Sequence, residues 1–137
     1  MAQEKQFENK VKRFLCSVGV YPAGTPQSKM PVTCKGWFIK HWGGGFSKSG
    51  IPDLICCVNG IFIAPEIKAS DGRASELQKL NISVINESGG IGIILYPEGF
   101  ETFKNLIMGV LNCNSHIQEL TALKSVTSST KCVIWTK

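Results

Sequence analysis

Apolar and polar positions along the 137-residue chain follow two periods, and their alternation predicts an α/β fold. Three segments carry apolar residues at helical spacing: 3 to 18, 75 to 88 and a stretch that begins at Pro97. Four segments are strand-like: about 34 to 42, 53 to 58, 61 to 68 and 91 to 96. The stretch 20 to 33 is interrupted by prolines and glycines and is expected to be a loop. We therefore predict a mixed central sheet of about four strands, flanked by helices on both faces.

The way this sheet is covered can also be predicted. Both faces of the strands 53 to 58 and 61 to 68 are apolar, which indicates a sheet buried on both sides. The second helix should supply one cover. Its residues Leu77, Leu80 and Val84 recur at helical spacing and are expected to face the sheet, with Ile85 as a further candidate.

The turn between the two central strands is the strongest local signal in the chain. Asn59 and Gly60 stand between apolar runs, and both central residues of a type I′ turn need a positive φ, which asparagine and glycine tolerate. With these two residues as the loop, Val58 pairs with Ile61. The register of the whole hairpin then follows by counting outward from that pair.

Counting outward brings Asp53 opposite Glu66, with Cβ atoms roughly 4.5–5.5 Å apart. Lys68 lies two residues further along and so on the same face as Glu66. Facing carboxylates are destabilising unless a cation lies between them, and Mg²⁺ prefers oxygen ligands. Asp53, Glu66 and the backbone carbonyl of Ile67 are therefore candidate ligands for Mg²⁺, with Mn²⁺ as a substitute. With Lys68 to orient or activate a water, hydrolysis of a phosphodiester is the reaction that this group suits best.

The same residues carry a family resemblance. Pro52-Asp53, a gap of twelve residues and then Glu66-x-Lys68 resembles the PD-(D/E)XK nuclease signature. Further likeness within this superfamily lies in the hairpin turn and in the flanking stretches 48 to 55, 72 to 78 and 88 to 90. The chain is similar over roughly residues 4 to 108 to the stand-alone virus-type replication-repair nuclease (VRR-NUC) domain, which is related in arrangement to archaeal-type Holliday junction resolvases.

The resemblance implies a restriction-endonuclease-like core and a metal-dependent DNA endonuclease. It further implies a homodimer that prefers branched or junction DNA and acts in replication, recombination or repair. The chain departs from the family pattern at Pro65, because the family usually has an apolar β-former directly before the glutamate. Proline cannot donate to a strand ladder, so we expect a bulge or an unpaired edge at Pro65.

The resemblance also implies supporting active-site roles for Glu8, on the first helix, and Gln78, on the second. Each residue has a structural alternative. An exposed ion pair with Lys12, four residues on, would explain Glu8, at roughly 0.2–0.5 kcal/mol. A helix capping box with Ser75 would explain Gln78 without any catalysis.

The net charge of the chain is +5, and many of its basic residues precede the candidate metal site in the sequence. No acidic residue occurs between Glu8 and Asp53, an interval that holds seven lysines and arginines. This segregation suits a phosphate-binding surface, whereas the alternative is a solvated basic face without a ligand. Trp42 and Phe46, which flank three glycines, are candidates for stacking on a nucleic-acid strand. The candidate nucleic-acid contacts are Lys35, Lys40, Lys48, Ser49 and Arg73.

Length and composition fit one domain, with residues 1–112 as the nuclease-like unit and 113–137 as an extension packed on it. In the extension we expect a helix from Ser115 to Lys124, a linker over 125 to 130 and an edge strand from Cys132 to Trp135. The six cysteines include no Cys-x-x-Cys pair and are interpreted as reduced thiols. The sequence contains no apolar leader and no long apolar run, so we expect a cytoplasmic protein without membrane contact. This expectation also fits a protein that is encoded by a phage and made in a bacterial host.

Two competing functions stay open at the level of sequence. One is a catalytically idle nucleic-acid-binding module with a nuclease fold, and the other is a restriction-type or RNA-cleaving enzyme of the same superfamily. The intact Asp53, Glu66 and Lys68 argue against the idle module, because an unpaired buried charge costs several kcal/mol. We therefore expect a Mg²⁺-dependent DNA endonuclease that needs no small-molecule cofactor.

Overall fold

The computed structural model of the protein describes residues 2–43 and 48–113, and the backbone of 132–133. Within these residues the chain forms α1 (Ala2–Ser17), β1 (Val20–Pro22), β2 (Gly36–Lys40), β3 (Leu54–Val58), β4 (Ile61–Ile67), α2 (Glu76–Glu87), β5 (Ile91–Leu95), α3 (Phe100–Leu111) and β6 (Cys132–Val133). Single 3₁₀ turns lie at Gln27–Lys29 and Pro97–Gly99. The helix predicted from Ser115 and the linker over 125 to 130 lie outside the described residues.

The strands form one mixed sheet in the order β1-β2-β3-β4-β5-β6. The pairs β1–β2 and β4–β5 are parallel, and the other pairs are antiparallel. The predicted mixed α/β architecture is confirmed, but five strands lie before residue 113 and a sixth follows, so the predicted count of about four is too low. The loop predicted over 20 to 33 is wrong at Val20–Pro22, which pairs with β2. Three residues are too few to give a periodic signal.

Helices lie on both faces of the sheet, as predicted. On one face, α1 and α3 pack on alternate strand residues, and the buried set includes Val11, Leu15, Phe103 and Ile107. On the other face, α2 packs on β4 and β5 through Ile82, which is fully buried. Among the described helices, none is both long and apolar enough to cross a bilayer.

The face of α2 that meets the sheet differs from the prediction. Leu77, Leu80 and Val84, expected to face the sheet, are 44%, 51% and 45% exposed. The buried residues of α2 are Ile82, Ser83 and Asn86. The helix therefore turns Ile82 and two polar side chains toward the strands and leaves the stripe of Leu77, Leu80 and Val84 outside.

Gly92 of β5 explains this orientation. A Cβ on Gly92 would lie 2.8 Å from the backbone oxygen of Ile82, so α2 and β5 approach each other too closely for a larger residue. The amide of Asn86 donates to the carbonyl of Gly92 at 3.0 Å and accepts from its N–H at 2.9 Å. Backbone proximity and these paired hydrogen bonds orient the helix, and neither follows from hydrophobic periodicity.

The sheet face beside α2 is open over β2 and part of the β3–β4 hairpin. Trp37 is 46% exposed and Phe62 is 45% exposed, and Cys57 is also exposed. The prediction of a sheet covered on both sides is therefore wrong at this end. The apolar composition of the strands is real, but α2 is too short to cover them all.

Candidate active site

The β3–β4 hairpin has the predicted turn and register at its tip. Asn59 and Gly60 both have positive φ, 50° and 81°. The side-chain amide of Asn59 donates to the carbonyl of Val110 at 3.0 Å, which ties the turn to the end of α3. The ladder pairs are Val58 with Ile61, Cys57 with Phe62 and Cys56 with Ile63.

The ladder ends before it reaches the acidic residues, so Asp53 and Glu66 are not a directly opposed ladder pair as predicted. Instead, Asp53 Oδ2 accepts the backbone N–H of Ile67 at 2.8 Å. Pro65, which has no N–H, lies in the part of β4 that is no longer paired with β3. Pro65 is therefore unpaired on the β3 side but pairs with Ile93 of β5 on its other side, so it does not lie at an edge of the sheet. On the β3 side the Asp53 carboxylate takes the place of a strand partner.

A docked loop leads the chain into Asp53. Gly50 has φ +78°, and a Cβ there would lie 2.6 Å from Leu77 Cγ on α2. The side-chain amide of Asn81 donates to the Gly50 carbonyl at 2.9 Å. Gly50 is therefore required both for its conformation and for its contact with α2. Lys48 and Ser49, which precede it, are exposed.

Glu66 is the buried carboxylate of the site, at 4% exposure. Its Oε1 accepts a hydrogen bond from the Gln78 amide at 2.9 Å and lies 3.4 Å from Lys68 Nζ. Its Oε2 is buried without a hydrogen-bond partner among the described residues. Burial and the neighbouring Asp53 charge raise the pKa of Glu66 to about 8, and Lys68 offsets only part of this rise. A second cation beside Glu66 would remove the penalty for its ionisation.

Gln78 fulfils both interpretations of its sequence position. Its side-chain oxygen accepts from the Ser75 N–H at 2.8 Å, and its own N–H donates to Ser75 Oγ at 3.1 Å, which completes the predicted capping box. The same side chain turns its amide nitrogen to Glu66. The start of α2 thereby fixes the orientation of the buried carboxylate.

Glu8 lies inside the protein, at 4% exposure, rather than in the exposed pair that was one alternative. Its carboxylate contacts Lys5 at 2.8 Å, Lys12 at 3.1 Å and Lys40. Burial alone would raise the pKa of Glu8, but the three lysines outweigh it and lower the pKa to about 2. Glu8 is therefore ionised, and it anchors a cluster of lysines at the end of the site.

Lys40 joins Glu8 to the other carboxylates. Its Nζ lies 3.1 Å from Asp53 Oδ1 and also contacts Glu8. Burial lowers the pKa of Lys40, but the two carboxylates outweigh burial and leave the pKa above its ordinary value. The sequence marked Lys40 only as a phosphate contact, and no local signal could place it between two acidic residues so distant along the chain.

The structure brings some of the predicted residues together and leaves others apart. The assembled group is Glu8, Lys40, Asp53, Glu66, Lys68 and Gln78. Lys35 directly precedes β2, at the strand end opposite Lys40, and is exposed. Arg73 is exposed in the loop before α2. Neither of these two residues is part of the assembled group.

A cleft of about 300 Å³ opens beside Glu8, Lys40 and Asp53. Trp42 stands at its edge, 70% exposed, with Lys5 Nζ 5.5 Å and Lys40 Nζ 5.8 Å from the ring centroid. Cations near an exposed indole provide both charge and a stacking face. Phe46, the other aromatic candidate, lies outside the described residues.

The described side chains include no group of three or more His, Cys, Asp and Glu residues arranged to hold a metal ion. Two carboxylates, Asp53 and Glu66, with the adjoining backbone are nevertheless a donor set of the kind that Mg²⁺ uses, since Mg²⁺ keeps several waters and takes substrate oxygens. No family model matches the chain, and neither a curated protein nor a solved structure matches it. The interpretation of the site therefore depends on its geometry and chemistry.

Proposed function

We propose that the protein is a metal-dependent nuclease with a restriction-endonuclease-like core, which hydrolyses phosphodiester bonds in DNA. The observation that carries the proposal is Glu66, a buried carboxylate with a pKa of about 8 and one oxygen without a partner, beside a second carboxylate. A buried carboxylate beside a second carboxylate is costly to ionise, and a bound cation would offset that cost. Such an arrangement is typical of functional sites rather than of structural cores.

Asp53 and Glu66, with the backbone carbonyl of Ile67, would hold Mg²⁺ or Mn²⁺. The Glu66 Oε2 supports this fit, because this oxygen is buried and accepts no hydrogen bond from a described N–H or O–H group. When bound, the metal supplies a Lewis acid and positive charge for the phosphate. The protein contributes the rigid frame: the hydrogen bond from Ile67 N–H orients Asp53, and that from Gln78 orients Glu66.

The lysines provide the remaining chemistry. Lys68, whose side chain is 12% exposed, lies 3.4 Å from Glu66 and is suited to orient the attacking water and take up its charge. Lys40 lies between Glu8 and Asp53 at the cleft, where it can bind a phosphate oxygen of the DNA strand. Glu8 acts as a positioning residue, because its ion pair with Lys40 helps to hold that side chain at Asp53.

We propose DNA as the substrate, with branched structures preferred, and a homodimer as the active form. The basic interval between Glu8 and Asp53 supports a polyanionic partner. The exposed stripe of Leu77, Leu80 and Val84 on α2, next to the exposed Phe62, is the apolar surface available to a second copy. Exposed apolar residues at this helical spacing suit packing against an identical helix.

A cleavage assay tests the proposal. Linear duplex, single-stranded, flapped and four-way-junction DNA are incubated with the protein in Mg²⁺, Mn²⁺ or EDTA. Asp53→Ala, Glu66→Ala and Lys68→Ala should each lower the cleavage rate by at least about 10²-fold, comparable to the loss of one preorganised electrostatic group. Glu101→Ala, which removes an exposed carboxylate of α3, is the matched control and should keep the wild-type rate.

Circular dichroism and melting temperatures show whether each variant remains folded. Wild-type rates from a folded Asp53→Ala variant, or equal cleavage in EDTA and Mg²⁺, would contradict the assignment. DNA binding without cleavage on any of these substrates would favour the idle binding module instead.

A further inference from the structure

A second and larger cavity lies beside the candidate active site. It is open to solvent, has a volume of about 920 Å³ and is lined by the last turns of α1, the edge strand β1 with the loop that follows it, and the end of β2. Pockets that hold small organic ligands have volumes of roughly 300–1,000 Å³. The cavity is therefore large enough for a nucleobase with its sugar and phosphate.

The lining combines an apolar interior with cations. Trp42, 70% exposed, is the accessible aromatic side chain, whereas Tyr21 and Phe38 are buried beneath the surface of the cavity. The basic lining residues are Lys12, Arg13, Lys29 and Lys40. No aspartate or glutamate is among the described residues that line it. Aromatic surface with positive charge is the combination that binds single-stranded nucleic acid, because bases stack and phosphates pair with the cations.

The outer wall of this cavity is held in place by hydrogen bonds. The Tyr21 hydroxyl donates to the Val32 carbonyl at 2.7 Å and accepts from the Val32 N–H at 3.0 Å. The Thr25 hydroxyl donates to the Pro22 carbonyl at 2.7 Å. These bonds tie the loop after β1 to the edge strand and restrain this side of the pocket.

Lys40 and Trp42 connect this cavity to the candidate active site. Both residues line the large cavity and also the cleft of about 300 Å³ that contains Glu8 and Asp53. A strand with a phosphate at the carboxylates therefore has a neighbouring nucleotide within reach of the pocket. A base that is paired in a duplex can enter only after it is unstacked and unpaired, which is least costly where the strand is already unpaired.

We propose that this cavity binds an unpaired nucleotide adjacent to the scissile phosphate, so that the enzyme selects positions where the strand is single-stranded on one side of the cut. The inference rests on the proposed nuclease function. It adds the feature of the substrate that the enzyme reads, namely an unpaired base next to the cleavage position.

Binding measurements test the inference without cleavage. Labelled DNAs of the same sequence are compared in Ca²⁺ by fluorescence anisotropy: a blunt duplex, a duplex with a short single-stranded overhang, and the same overhang with an abasic first unpaired position. Wild-type protein should bind the overhang about tenfold more tightly than the blunt duplex, since stacking of one base supplies about that factor. The abasic overhang should lose most of this preference, because its phosphates remain but its base does not.

Two variants change the pocket in different ways. Ala23→Trp fills the cavity, and Lys29→Glu reverses one of its charges, and both should reduce the preference for the overhang to about onefold. Lys104→Glu on α3 makes the same charge change outside both cavities and should keep the preference. If Ala23→Trp fails to fold, the exposed Lys29→Glu variant decides.

The outcomes separate the inference from the proposed function. Equal binding of overhang and blunt duplex by wild-type protein, or an abasic overhang bound as tightly as the intact one, overturns the inference while cleavage in Mg²⁺ can stand. An acidic peptide that displaces the overhang as well as an unlabelled oligonucleotide does would also overturn it, since the pocket would then read charge alone. If the protein prefers the overhang to the blunt duplex but cleaves none of the substrates, the nucleotide pocket is supported and the proposed nuclease function is contradicted.

Discussion

Glu66 should make the stability of the metal-free protein fall as the pH rises. Its pKa is raised from 4.5 to about 8 in the folded state, so the folded protein holds this proton more tightly than the unfolded chain does. The stabilisation by the bound proton is complete below pH 4.5 and is lost between pH 4.5 and about 8. At about 1.36 kcal/mol per pH unit, the loss has a ceiling of about 5 kcal/mol. Glu66 is only 4% exposed, so solvent screens little of it.

A divalent metal bound as proposed would compete with this proton for the same carboxylate. In Mg²⁺ the pH-dependent loss of stability should therefore shrink, and the apparent affinity for Mg²⁺ should rise by up to about tenfold per pH unit until about pH 8 and then level off. The assays are chemical denaturation in EDTA and in Mg²⁺ from pH 5 to 9, and calorimetric titration of Mg²⁺ over the same range. Both readouts are independent of cleavage.

Matched variants isolate the effect from the other groups that titrate in this range. Glu66→Gln has the same shape but no charge, so the difference in unfolding free energy between wild type and Glu66→Gln contains the Glu66 contribution alone. Glu101→Gln, at an exposed position on α3, should follow the wild-type curve. A difference between wild type and Glu66→Gln that stays constant from pH 5 to 8 in EDTA would refute the reasoning.

Three further predictions concern Glu8 of the candidate site and Asn86 and Leu80 of α2. Glu8→Gln should lower the free energy of unfolding at pH 7 by at most about 3 kcal/mol, because the pKa of Glu8 is lowered to about 2. The wild-type protein should lose the same stabilisation between pH 4.5 and 2 in acid denaturation. Asn86→Ala should destabilise the protein by roughly 1–3 kcal/mol in urea denaturation, because it leaves the N–H and carbonyl of Gly92 unpaired. Leu80→Lys should convert a dimer into a monomer in light scattering and change the monomer's stability by less than about 0.5 kcal/mol, and a variant that remains dimeric would exclude the α2 stripe as the interface.

The parts of the site that depend on neighbouring residues could be predicted from the sequence. The Asn59-Gly60 turn set the register of the hairpin tip, since the positive φ of both residues allows only a few turn types. The capping box at Ser75 placed the start of α2 and, with it, Gln78. In each case the determining interaction spans only a few residues, so a local pattern contains it.

The parts that depend on distant residues could not be predicted. Nothing local to Lys40 indicates that Glu8 and Asp53 will flank it, because β2 meets α1 and β3 only in the folded protein. The orientation of α2 was predicted wrongly for a related reason. Apolar spacing selects the stripe of Leu77, whereas the close approach at Gly92 places the opposite side of the helix on the sheet.

The point at which the β3–β4 ladder ends explains why Asp53 and Glu66 are not directly opposed as predicted. Continued pairing would have placed Asp53 directly opposite Glu66, where two like charges on a regular ladder are destabilising. Pro65 cannot donate to β3, the pairing stops, and the Ile67 N–H is left for the Asp53 carboxylate. Asp53 is thereby held by the backbone and by Lys40, while Glu66 retains a buried oxygen that has no hydrogen-bond partner among the described residues. The interruption of the β3–β4 pairing at Pro65 thus leaves the two carboxylates in different states: Asp53 is held by hydrogen bonds, and Glu66 has an unsatisfied oxygen. A cation bound between them would satisfy that oxygen.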